Sequence, residues 1–145
     1  KYWSGRPSIM ASELRVTTIA NNAGTESVNT TYVVNGSAKH WLNMNGTGTI
    51  ATRDSFNNSS ITDTNTGTYT LAFTSNMSNN DYAVATMART HRGVSNDGAA
   101  NGLSTSDGDS DGMLTSGEVL SYINVGTQND ADVPLAGSMT FGDLA

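Results

Sequence analysis

Apolar and polar positions alternate with a period of two over short stretches of this chain, and turn-forming residues separate the stretches. The clearest case is Thr68 to Thr74. Tyr69, Leu71 and Phe73 fall on one side and Thr68, Thr70, Ala72 and Thr74 on the other, the signature of a half-buried β-strand. Similar segments predict strands at Ala38–Met44, Gly48–Asp54, Asp81–Thr90, Glu118–Val125 and Ser138–Phe141. Upstream, Leu14–Val16–Thr18 and Val28–Thr30–Tyr32–Val34 alternate around a polar turn at Asn21–Gly24 and predict a strand–turn–strand segment. Short strands at even spacing call for antiparallel pairing in a sandwich or barrel rather than a βαβ fold. Asn45–Gly46 is the dipeptide that accepts the positive φ angles of a type I′ hairpin turn, and Asp63–Gly67 marks a second reversal. Between His91 and Gly117 the alternation stops, which predicts a long loop on the scaffold over Thr90–Gly117.

Composition strengthens the all-β reading. Asn, Thr, Ser and Gly make up 68 of 145 residues while Lys and Glu together number five, so good helix formers are scarce. The expected architecture is a β-sandwich-like domain of short antiparallel strands over 36–145, preceded by an extended strand segment over 1–35. Hydrophobic residues are only 36% of the chain, many of them Ala. So thin a core predicts an extended fold or burial against sister chains, the alternative being an ordinary β-sandwich with a small core. The expected oligomerisation segment is 1–35, with Tyr2 and Trp3 packed on a neighbouring chain or an upstream segment. The first residue is Lys1 rather than Met, which leads to the expectation of a mature product or a piece of a longer protein.

Charge and motifs exclude several classes of function. The net charge is −6 and the seven basic residues are scattered, so no stripe exists to neutralise phosphates and nucleic acid is not expected as a partner. No apolar run approaches the roughly 20 residues of a membrane-spanning helix, and no membrane partner is expected. Cysteine is absent, which removes disulfides and thiolate metal sites. Gly46–Ala51 fits G-x-G-x-x-A, yet the residues after it are strand-like, so a hairpin and not a dinucleotide turn is expected. His40 and His91 are far apart, no G-x-S-x-G is present, and Asp54, Asp63 and Asp81 sit where strands end or turn. No enzymatic activity and no catalytic residue are expected.

One segment carries a chemical mechanism. Asp107 to Glu118 reads DGDSDGMLTSGE and satisfies D-x-D-x-D-G-x5-E at every specified position. It resembles calcium loops, in which carboxylates converge on the ion and a glycine at the sixth position permits the sharp turn. Carried over, the ligands are Asp107, Asp109, Asp111, the carbonyl of Met113, Thr115 through water, and Glu118. No helix is expected before Asp107 and a strand is expected after Glu118, so this would be an isolated calcium loop on a β-domain; the alternative is a solvated acidic turn.

Four further stretches share their wording with a known module: GSAKHW (Gly36–Trp41), NGTGTIATRDSFN (Asn45–Asn57), SSITDTNTGTYTLAFT (Ser59–Thr74) and MSNNDYAV (Met77–Val84). They resemble tail-fibre and related virion structural proteins of marine tailed bacteriophages. The resemblance implies a homotrimeric tail-fibre or tail-appendage module of a virion that displays loops for host attachment. Its partners would be sister chains, other tail proteins and a host surface receptor such as a polysaccharide. The alternatives are a calcium-stabilised extracellular adhesin and a capsid decoration protein.

Overall fold

The computed structural model describes residues 15–89, 99–103, 112–124 and 129–145. The chain divides into two compact units, Lys1–Val34 and Asn35–Ala145.

In the first unit, β1 (Thr18–Ala20) and β2 (Ser27–Asn29) form an antiparallel hairpin with Ile19 opposite Val28. Asn21 closes it. Its side chain accepts from the Thr25 amide and donates to the Thr25 hydroxyl, both at 3.0 Å, and Gly24 supplies the positive φ of +68° that the turn requires. The strand expected over Val28–Val34 stops early, because the chain turns helical at α1 (Thr30–Gly36). The reason is local. Asn29 caps the helix by accepting from the Thr31 amide at 2.8 Å, while the Thr30 hydroxyl donates to the Val16 carbonyl at 2.9 Å. None of the residues 15–34 is buried.

The second unit is a sandwich-like pair of antiparallel sheets. One sheet has the order β4 (Ala51–Phe56), β3 (His40–Asn45), β12 (Leu135–Phe141), β7 (Ala83–Arg89). The other runs β5 (Asn58–Asn65), β6 (Thr68–Phe73), β10 (Gly117–Asn124), β11 (Asn129–Asp130), with β8 (Ala99–Leu103) and β9 (Met113–Leu114) also paired to β10. Alternation decides what faces inward: Leu42 and Met44 from β3, Tyr69 and Leu71 from β6, Leu120 and Tyr122 from β10 and Ala136 from β12 form one buried cluster with Val133. Phe73, Met77 and Tyr82 form a second. Buried tyrosines bolt the layers together: Tyr69 donates to the Gly46 carbonyl at 2.6 Å, Tyr82 to that of Gly117 at 2.8 Å and Tyr122 to that of Gly137 at 3.3 Å.

Three differences from the expected pattern have physical causes. The positive φ in the β3–β4 connection is at Gly48, not at Asn45 and Gly46. Gly46 is needed instead for close approach: a Cβ there would lie 2.6 Å from the Tyr69 hydroxyl and 2.9 Å from the Val133 carbonyl. β5 was not anticipated, because Ile61 is its lone large apolar residue and it is held by backbone pairing to β6. The loop expected over Thr90–Gly117 contains β8 and β9, so part of that stretch is sheet. The strand leaves one sheet for the other at Asn57, which has φ +58° and whose side chain accepts from the Ser75 amide at 2.7 Å and donates to the Ser75 carbonyl at 3.0 Å.

Candidate functional site

Buried polar chemistry gathers between the two sheets. Alternation along β3 turns His40 inward in line with Leu42 and Met44. On β12, Thr140 lies opposite His40 and Ser138 opposite Leu42, so both hydroxyls reach the same layer. β10 supplies Glu118 from the facing sheet, in line with Leu120 and Tyr122. His40, Glu118 and Thr140 are each 0% exposed.

The Thr140 hydroxyl donates to Glu118 Oε2 at 2.9 Å, and Glu118 Oε1 lies 3.7 Å from His40 Nδ1. The imidazole also has Nδ1 3.4 Å from the Thr140 hydroxyl and Nε2 3.4 Å from the Asn58 side-chain carbonyl, and its ring stacks obliquely on Phe73 at 4.8 Å. Burial raises the Glu118 pKa above the usual carboxylate range; the Thr140 bond and the Ser138 hydroxyl, which makes no close hydrogen bond, oppose this more weakly. Burial lowers the pKa of His40, against a weaker upward pull from Asn58. Both shifts disfavour the charged forms of the two groups. Among the described residues Glu118 Oε1 has no hydrogen-bond partner, and its 3.7 Å separation from His40 Nδ1 is longer than a hydrogen bond.

Sealed from solvent, this cluster has no surface on which a substrate could sit. What it does in the fold is join the sheets, through the Thr140 to Glu118 hydrogen bond. Breaking it on one side would leave a buried polar group without its partner, which is where such clusters draw their specificity.

Of the residues predicted to ligate calcium, Met113, Thr115 and Glu118 are described, and Asp107, Asp109 and Asp111 lie outside the described residues. Met113 pairs with Glu118 across the β9–β10 hairpin, and Thr115 is exposed in its turn with its carbonyl accepting from the Met77 amide at 2.8 Å. The Glu118 carboxylate points into the interior toward Thr140 and His40, so in this arrangement it is not offered to an ion. Among the described residues no three His, Cys, Asp or Glu side chains come together as a metal site. Asp54, Asp63 and Asp81 are exposed on β4, on β5 and just before β7 respectively. His91 lies outside the described residues. The connection Gly46–Ile50 leads straight into β4, a hairpin.

Sequence reasoning placed His40 on an alternating strand and took Glu118 for a surface ligand. It missed their meeting, although inward positions shared with Leu42 and Leu120 are the signal that points there. No family model, curated protein or solved structure matches the chain.

Proposed function

We propose that this chain is a virion structural protein, a tail-fibre or tail-appendage module that assembles as a homotrimer and displays loops for host attachment. The observation that carries the reading is the contrast between a sandwich with its own core and an N-terminal unit whose large apolar residues are uncovered. Val16, Ile19, Val28, Tyr32, Val33 and Val34 are between 40% and 75% exposed. An apolar surface of that kind, on a unit with no buried residue among those described, belongs against other chains. The shared wording with phage tail-fibre modules supports sister chains and neighbouring tail proteins as those partners, with a host polysaccharide as the receptor. The hydroxyl- and amide-rich exposed strands suit a surface that lives outside a particle. The work is mechanical and adhesive rather than catalytic.

Electron microscopy of intact particles labelled with an antibody to the folded chain tests this. Label along the tail or its appendages, together with competition of the purified protein for host adsorption, is the expected result. Label on the capsid shell would make it a decoration protein, and particles without label would end the virion reading.

A further inference from the structure

The outer face of the four-stranded sheet carries an apolar surface that the sandwich core does not use. Register sets Phe56, Trp41, Met139 and Ala85 side by side across β4, β3, β12 and β7. The next level along the strands is Asp54, Asn43, Gly137 and Met87, and beyond it Leu135 stands opposite Arg89. These residues alternate with inward-facing Leu42, Met44, Ala136 and Ser138, so they point away from the core. Phe56 is 52% exposed, Met87 45% and Met139 39%. Met87 leans across Gly137, its Cγ 3.2 Å from where a Cβ would sit, so the apolar surface continues over the glycine. Aromatic and methionine side chains gathered on an exposed sheet face mark a contact surface.

We infer that this face pairs with the same face of a second copy about a two-fold axis running along the strands. Such a rotation reverses the strand order, laying β4 over β7 and β3 over β12. Phe56 then comes over the small Ala85 of the second copy, and Trp41 comes over Met139. Charge agrees as well. Asp54 lies at the β4 edge and Arg89 at the β7 edge, one level apart, so each Asp54 approaches Arg89 of the other copy, twice by symmetry. Strands spaced about 4.8 Å apart and rising about 3.4 Å per residue give a face of about 300–400 Å² per copy. That totals about 600–800 Å² for the pair, below the roughly 1,200 Å² of a stable specific interface, and calls for a weak, transient association. The pairing is independent of the N-terminal unit; combined with a trimer it gives an even multiple.

The test uses the full chain in sedimentation equilibrium over a concentration series reaching the millimolar range. Met139→Glu should abolish the concentration-dependent doubling of the particle mass whatever the N-terminal unit contributes. Asp54→Arg and Arg89→Asp should each weaken the pairing roughly tenfold, and the double reversal should restore it to within about threefold. All three positions are exposed, so far-ultraviolet circular dichroism should not change. A mass that Met139→Glu leaves unchanged overturns the inference, as does a double reversal no tighter than either single one. Saccharide quenching of Trp41 fluorescence in a chain of unchanged mass would give the face to a sugar and equally overturn it.

Discussion

The two units of this chain spend their apolar residues in opposite ways. In the sandwich, Leu42, Met44, Leu71 and Leu120 are at most 2% exposed and every one meets partners from the facing sheet. In the N-terminal unit, Ile19 and Val28 pair across a hairpin yet remain 49% and 40% exposed. Among the described residues, apolar side chains stabilise the sandwich from within, whereas those of the N-terminal unit lie open. A hairpin of three-residue strands and a seven-residue helix lie below the size at which local structure holds itself in water.

The sharpest way to break that contrast is truncation in each unit. Leu120→Ala removes a fully buried side chain and should cost about 2–5 kcal/mol in a denaturant melt. Ile19→Ala should change the monomer's stability by less than about 0.5 kcal/mol and show its effect in association instead. Equal losses for the two would erase the distinction.

Next in size is the loss of an inter-sheet bolt. Tyr69→Phe deletes a hydroxyl that donates to the Gly46 carbonyl and to Asp132 Oδ1 at 3.1 Å. The stranded buried carbonyl should cost about 1–3 kcal/mol by equilibrium unfolding.

The opposite shifts of His40 and Glu118 make a pH prediction with a definite sign. Burial raises the Glu118 pKa above its ordinary 4.5, so the folded chain binds more protons at this group and stability falls as pH rises from 4.5 through the folded value. Burial lowers the His40 pKa below its ordinary 6.5, so the unfolded chain binds more protons at this group and stability falls as pH drops from 6.5 toward the folded value. Where the two ranges overlap, the slopes oppose each other. Relative to wild type, Glu118→Gln should tilt the window so that stability is lost toward acid, and His40→Gln should tilt it toward base. Each slope is at most about 1.4 kcal/mol per pH unit. Melts over pH 4–8 check this, and parallel profiles for all three proteins would contradict the opposed shifts. Because Glu118 faces the core, its replacement should cost the same in chelator and in millimolar calcium.

A purely local effect is expected in the N-terminal unit. Asn29→Ala removes the cap on α1 and should lower its helicity at the cost of about 0.5–2 kcal/mol locally, with no change in the melting of the sandwich.

The sequence made the strands legible wherever one side chain in two is apolar, as in Tyr69–Leu71–Phe73, because burial on one face imposes that period. β5 was illegible because Ser59, Thr62 and Thr64 gain nothing from burial and follow the backbone bonds of β6. α1 was read as a strand because Val28, Thr30, Tyr32 and Val34 alternate with their neighbours, whereas the Asn29 cap decides the matter. The candidate site was hidden for a different reason. His40 and Glu118 are far apart in the chain, and only the stacking of β10 against β3 joins them. The motif ending at Glu118 described local spacing, while its side-chain direction was fixed by the sheet.

Amide hydrogen exchange on the full chain over a range of protein concentrations tests the difference between the units most directly. The Val119 and Tyr122 amides, bonded to the Gly112 and Gly67 carbonyls, should be strongly protected at every concentration. The Asn21 and Thr30 amides, which close the N-terminal hairpin through the Glu26 and Thr17 carbonyls, should be weakly protected when dilute and gain protection as concentration rises. Protection of Asn21 and Thr30 that matches Tyr122 and does not depend on concentration would contradict the account.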